Sequence, residues 1–177
     1  MHPPDDLATE RLRLRRLQLT DAPAIFASYA TDPEVARYSS WRPHASLRDA
    51  EEFVVGALGR WLDGEEFTWV LLDRRSDQLV GAMSARDTAH GLEFGYVLAR
   101  ERWGKGLMTE AVGALRDWAS SEPDVHRLWA YCDVDNVASA RVLEKNGFER
   151  EGRLRRWARH PNISETPRDV FAYSWIR

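Results

Sequence analysis

The sequence predicts a mixed α+β fold built around one central sheet, and three observations carry that reading. Periodic segments follow a mixed order: a helical pair near the front, a three-stranded meander, and then a strand–helix–strand–helix–strand succession. Apolar residues make up 44%, charged residues 30% and aromatics 11%, a balance suited to a folded globule rather than to disorder. The 177 residues supply a substantial core for one domain and too little for two ordinary ones, so residues 1–177 are expected to form a single domain. No internal repeat, low-complexity tract or linker interrupts the pattern.

The elements follow in order. In "RLRLRRLQL", Leu12, Leu14 and Leu17 are interleaved with arginines, the mark of a half-buried strand. "TDAPAIFASYA" reads as a helix with Thr20 or Asp21 as its cap and Pro23 in the first turn. Phe53, Val54, Ala57, Leu58 and Trp61 recur at helical spacing and predict a second helix from Ser46 to Leu62. "FTWVLLD", "QLVGAMSA" and "LEFGYVL" are strand-like and separated by the turn-forming "RRSD" and "RDTAHG", which makes an antiparallel meander. Leu107, Ala111, Leu115 and Trp118 then line one face of a helix. "HRLWAYCDV" is a strand and "NVASARVLEKNGF" a capped helix, and two strands near "EREGRLRRW" and "RDVFAYSW" close the chain.

Composition also excludes. A net charge of −3 gives no general reason to expect nucleic acid. The single cysteine, Cys132, rules out an internal disulfide and suits a reducing compartment. "MHPPDDLATE" lacks the apolar core of a signal peptide, and no run of about 18 apolar residues occurs, so no membrane span is expected and the cytoplasm is the default location. His2, His44, His90, His126 and His160 are scattered without ligand spacing, so no metal is expected.

The most suggestive stretch is "ERWGKGLMTEA", Glu101–Ala111. It sets Gly104 and Gly106 around Lys105 between a strand and a helix, yet matches neither the G-x-x-x-x-G-K-[ST] loop nor the G-x-G-x-x-G fingerprint. A glycine turn leading into a helix N-terminus nonetheless makes an anion site, because main-chain N–H groups and the positive dipole end converge there. The bland alternative is a tight strand-to-helix connection.

The same stretch resembles the acetyl-CoA pyrophosphate motif of the GNAT acetyltransferases, and specifically the RimJ/RimL-like branch of ribosomal-protein N-terminal acetyltransferases. The resemblance covers nearly the whole chain. "TERLRLRRLQLTDAPAI" is similar to the family's opening strand and first helix, "DPEVARY" to the turn that follows, "EFGYVL" to its fourth strand, "NVASARVLEKNGF" to its late helix and "RDVFAYSW" to its last strand. It implies a mostly antiparallel mixed sheet of about seven strands flanked by about four helices, splayed between the fourth and fifth strands. It also implies acetyl-CoA bound by Val97, Leu98, Trp103, Gly104, Lys105, Gly106, Leu107, Met108, Thr109, Asn136 and Ser139. Met108 departs from the superfamily pattern, where a small residue is usual, and Lys105 is expected to face solvent or at most to help with phosphate.

The implied reaction is direct transfer of an acetyl group to a primary amine. Glu93 is the candidate general base: alternation along "LEFGYVL" puts Glu93, Gly95 and Val97 opposite Leu92, Phe94, Tyr96 and Leu98, and the family's E-x-G-Y falls on Glu93–Tyr96. A strand glutamate on a solvated or salt-bridged face is the alternative. Ser139, three residues after the plausible N-cap Asn136, is implied as general acid toward the leaving thiolate. Cys132 has no base at fixed spacing and reads as an apolar filler. The acidic residues Asp49, Glu51, Glu52, Asp63, Glu65 and Glu66 form either a wall that attracts a cationic acceptor or a solvated helix face. Trp41 in "SSWRPH" is either a binding-loop residue or a core cap, and the "EREGRLRRWAR" arginines are either anion contacts or an exposed edge. The branch implies a protein N-terminal α-amine as acceptor. A small amine (aminoglycoside, polyamine or amino acid) and a non-catalytic acyl-CoA-binding module stay open, as do monomer and homodimer.

Overall fold

Eight strands pair into one sheet in the order β1-β2-β3-β4-β5-β6-β8-β7 in the computed structural model, which describes residues 3–177. The strands are β1 Asp6–Ala8, β2 Leu12–Arg16, β3 Phe67–Asp73, β4 Leu79–Thr88, β5 Gly91–Leu98, β6 Arg127–Asp133, β7 Glu149–Ala158 and β8 Arg168–Ile176. The α-helices are α1 Ala22–Ile25, α2 Pro33–Ala36, α3 Leu47–Leu62, α4 Leu107–Ser121 and α5 Val137–Lys145. Every neighbouring pair is antiparallel except β5 and β6, which the α4 crossover leaves parallel.

The sheet carries a core on each face. Leu12, Leu14, Trp69, Leu71, Met83 and Phe94 meet α4 through Leu107, Ala111 and Leu115. On the other face Val70, Leu72 and Ala82 meet α1 and α3 through Ile25, Val54 and Ala57. β3 is buried along nearly its whole length because it is covered from both sides. The Trp69 indole N–H donates to the Pro4 carbonyl at 2.9 Å, tying the start of the chain to the central strands.

Several expectations are corrected. The described residues hold eight strands where about seven were expected; the addition is β1, only three residues long, which has too little pattern to read and exists by pairing with β2. That addition renumbers the splayed pair to β5 and β6, whose register covers only Leu92↔Leu128 and Glu93↔Trp129. Among the described residues five α-helices stand where about four were expected, since "DPEVARY" is not a turn but holds α2, started by an Asp32 side chain that accepts from the Glu34 N–H at 2.9 Å. Neither Thr20 nor Asp21 caps α1 with its side chain. Asp21 accepts from Arg15 at 2.6 and 2.8 Å and from the Gln18 N–H at 2.8 Å. "RDTAHG" turns only at its end, because β4 runs on to Thr88. By contrast α3 starts as expected at Ser46, where Asp49 accepts from the Ala45 and Ser46 N–H groups. His2 lies outside the described residues.

Candidate functional site

The glycine turn forms a cradle. Gly104 and Gly106 have φ of +71° and +75°, left-handed values that cost another residue about 1–2 kcal/mol each. Gly106 is the N-cap of α4, and the first helical bond runs from the Glu110 N–H to the Gly106 carbonyl at 3.1 Å. The amides of Leu107, Met108 and Thr109 therefore lack helical acceptors and stay available to an anion. A Cβ on Gly104 would meet nothing within 4 Å, so the cradle is open. Met108 does not crowd it: its side chain is buried in the core beside Leu107 and Ala111. The Trp103 indole N–H donates to the Leu98 carbonyl at 2.7 Å and holds the end of β5 against the turn. Lys105 bends back, its Nζ donating to the Glu101 carbonyl at 2.8 Å.

Beyond Glu93↔Trp129 the parallel strands part, and side chains span the opening. The Tyr96 hydroxyl on β5 lies 2.7 Å from Ser139 Oγ on α5. Burial pushes the Tyr96 phenol well above its ordinary pKa, despite the opposing bond to Ser139, so it stays protonated at neutral pH. Asn136 is the helix cap, its Oδ1 accepting from the Ser139 N–H at 3.2 Å, and it thereby fixes the serine at the opening. Cys132 lies behind Ser139 as a buried filler, and burial lifts its thiol to about 11, far from thiolate chemistry at neutral pH.

Glu93 sits on the opposite face of β5, as alternation requires. It is not a free carboxylate: Arg86, directly opposite on β4, donates to it at 2.7 Å. Arg86 also lies 4.0 Å from Glu66, so one guanidinium sits between two carboxylates. Burial pulls the Arg86 pKa down, but the Glu93 hydrogen bond together with the charges of Glu93 and Glu66 raises it on balance. Of the expected acidic wall, then, Glu66 faces this cluster, whereas Asp49 caps α3 and Glu52 pairs with Arg48.

A second buried network supports the opening from below. Asp133, at the end of β6, accepts from Arg168 at 2.6 and 2.9 Å and from the Asp135 N–H at 3.0 Å. Burial alone would raise its pKa, but the Arg168 bonds outweigh that and hold the carboxyl low. The Asp133 carbonyl in turn accepts from the Asn136 N–H at 2.9 Å, which sets the turn into α5. Across the rim, Asn162 donates to the Ala36 and Trp41 carbonyls at 2.6 and 2.8 Å, and Trp41 packs on Tyr29 and His44 as a core cap. The arginines of β7 lie on the outer strand of the sheet.

The structure thus gathers Trp103, Gly104, Gly106, Leu107, Met108 and Thr109 at one end of the opening, with Val97 and Leu98 leading into it and Asn136 and Ser139 along its side. Glu93 stands on the other face. Tyr96, Arg86 and Asp133 were missed by sequence reasoning: their partners lie 43, 7 and 35 residues away and reach them only through the sheet.

Comparison with known proteins places this geometry. Residues 11–149 match the family model described as an acetyltransferase (GNAT) domain. The chain is 31% identical over 154 residues to p20 of Bacillus licheniformis, an uncharacterized N-acetyltransferase, covering 85% of this chain and 86% of the relative. It is 27% identical over 158 residues to the ribosomal protein uS5-alanine N-acetyltransferase of Escherichia coli, covering 82% and 79%. Its fold is similar to that of Mycobacterium smegmatis RimJ, solved in complex with CoA-disulfide, with a TM-score of 0.87 at 22% identity over 99% of this chain and 90% of that one.

Proposed function

The chain belongs to the GNAT acetyltransferase family and is an N-acetyltransferase; from that premise we propose that it moves the acetyl group of acetyl-CoA onto the N-terminal α-amine of a protein. The residues fit such a cofactor, because the cradle is open and its main-chain donors are unspent. The amides of Leu107, Met108 and Thr109 would hold the diphosphate, and Val97, Asn136 and Ser139 would flank the arm. When bound, acetyl-CoA supplies an acetyl thioester.

The chain's own residues do the rest. Glu93 takes the proton that the attacking amine loses, through a bridging water, on one face of the sheet. Ser139, hydrogen-bonded to the protonated Tyr96 hydroxyl, would be placed to donate a proton to a departing thiolate on the other and would regain one from solvent. With an amine on the Glu93 face and the sulfur beside Ser139, the two proton transfers would not compete.

One observation carries the choice of acceptor, namely that Glu93 is tied to Arg86 at 2.7 Å. A carboxylate oxygen that already accepts from a guanidinium has less hydrogen-bonding capacity left for a fully charged ammonium. It therefore suits an amine that is already partly neutral. An α-amine is about a tenth neutral at pH 7, whereas a lysine amine is neutral at well below about 0.1%. The relative named as a ribosomal protein uS5-alanine N-acetyltransferase agrees with this reading. The buried free thiol of Cys132 favours a reducing, cytoplasmic setting, and no helix among the described residues is long and apolar enough to cross a membrane.

The test is release of CoA thiol with three acceptors: a lysine-free peptide with an open N-terminus, the same peptide blocked and carrying one lysine, and a polyamine. Turnover at least about tenfold faster on the open peptide is expected. Preference for the polyamine would replace the acceptor, and binding of CoA with no turnover on any amine would make the chain a binding module.

A further inference from the structure

The turn between β5 and α4 is fastened from the far end of the chain. Arg11 donates through Nη1 to the Lys105 carbonyl at 2.9 Å, inside the cradle loop itself. Its Nε donates to Glu110 Oε2 at 2.7 Å, and its backbone N–H to Glu110 Oε1 at 2.8 Å. The Thr9 hydroxyl donates to the same Oε1, and this hydroxyl also accepts from the Leu12 N–H at 2.8 Å. Glu110 belongs to the first turn of α4, where its negative charge stands beside the positive end of the helix that an anion would use. Burial would raise the Glu110 pKa, but the bonds from Thr9 and Arg11 prevail and keep it ionised.

Other cations near the turn are committed elsewhere. Lys105 donates to the Glu101 carbonyl, Arg100 pairs with Asp32 at 3.0 Å, and Arg102 pairs with Asp73 at 3.1 Å and donates to Gln78. Arg11 Nη2 has no hydrogen-bond partner among the described residues, and it lies 3.6 Å from where a Cβ on Gly106 would stand. A guanidinium has donors on three edges, and here two edges are used to orient the third.

We propose that Arg11 is part of the diphosphate site: it cancels the charge of Glu110, fastens the cradle through the Lys105 carbonyl, and presents its free Nη2 edge to the anion. The inference rests on the proposed use of CoA and adds a cationic ligand from β2's approach that the glycine motif does not contain. It also gives the threonine, arginine and glutamate of the "TER" and "TEA" stretches one shared purpose.

Calorimetric binding of CoA, 3′-dephospho-CoA and pantetheine to the intact protein tests it. Arg11→Met is expected to weaken CoA and 3′-dephospho-CoA alike by about 10- to 100-fold and to leave pantetheine unchanged. Glu110→Gln, which keeps an acceptor for Arg11 Nε and removes the charge that opposes an anion, is expected to weaken CoA less than Arg11→Met, and the double variant to bind CoA better than Arg11→Met alone, because the uncancelled carboxylate is gone. Arg11→Lys, which keeps the charge and loses the fork, is expected to fall between, and it serves if Arg11→Met does not fold. Equal losses for pantetheine would reveal general damage and overturn the inference. Unchanged CoA affinity in both Arg11 variants would overturn it too, as would a loss confined to CoA, which would move Arg11 to the 3′-phosphate. If the parent protein binds none of the three, it is the cofactor reading that fails.

Discussion

Replacing Ser139 by alanine separates a chemical role from a structural one, because the structure predicts very different sizes for the two. The substitution removes one hydrogen bond, from Ser139 Oγ to the Tyr96 hydroxyl at 2.7 Å, and the Ser139 carbonyl remains within 3.3 Å of the same hydroxyl as a substitute partner. The Asn136 cap bonds to the main-chain N–H of residue 139 and is untouched. The stability cost is therefore that of one neutral hydrogen bond, about 0.5–1.5 kcal/mol. For a chain of this length that lowers Tm by about 1–6 °C. If Ser139 protonates the leaving thiolate, kcat falls by about 10²–10⁴-fold, or about 2.7–5.4 kcal/mol in the barrier. The assay pairs thermal unfolding with CoA-thiol release across pH, and CoA binding is measured in parallel. The expected result is a small Tm change, near-parental CoA affinity and a large loss of kcat with an altered basic limb of the pH profile. A kcat and pH profile unchanged in the alanine variant would refute the assignment.

Tyr96→Phe keeps the ring in the core and removes the hydroxyl, so kcat should fall less than in Ser139→Ala, by about tenfold, as a polarising partner is lost; a fall equal to that of Ser139→Ala would make Tyr96 the donor. Arg86→Gln releases Glu93 and should raise turnover of lysine peptides relative to α-amine peptides several-fold, with little change in unfolding because the pair is half exposed on the arginine side; an unchanged ratio would count against Glu93 as base. Asp133→Asn breaks a buried pair, worth about 3–5 kcal/mol when both members are buried and about 2–3 here because Arg168 keeps some exposure, and calorimetry should find Tm lower by about 4–12 °C. The Asp133 carboxyl is held below its ordinary pKa, so its stabilisation is complete above the unfolded value of about 4 and is lost as pH falls through the folded value. The parent Tm should accordingly drop more steeply than that of Asp133→Asn on acidification below about pH 4.

Local pattern and local chemistry were legible in the sequence. The α4 face of Leu107, Ala111 and Leu115, the Ser46 start of α3 and the alternation of β5 all rest on near neighbours, and each stands in the structure as read. The splay was legible only through family resemblance, since nothing within "LEFGYVL" or "HRLWAYCDV" says that their pairing stops after two residues. What stayed hidden depends on the sheet. A three-residue β1 has no periodicity to detect. Thr9 and Arg11 meet Glu110 across 101 and 99 residues, and Tyr96 meets Ser139 across 43. Met108, which departs from the small residue usual in the superfamily, is accommodated by helical geometry: its side chain enters the core while its N–H faces the turn.

The polar machinery sits where it does because parting two strands frees main-chain groups that a closed sheet would pair. Buried, unpaired N–H and carbonyl groups are costly, so an opening in a sheet persists only if something else satisfies or solvates its edges. Here the Trp103 indole takes the Leu98 carbonyl, Tyr96 and Ser139 bridge the gap, and Asp133 and Asn136 organise the far side. Those bridges prop the strands apart as well as supplying donors, so the chemistry and the shape of the opening share the same side chains. Beyond Glu93↔Trp129 the edges of β5 and β6 would suit the long, amide-bearing arm of the proposed cofactor. The cradle that would hold the arm's anionic end lies at the mouth, where the chain leaves β5 and must turn into α4.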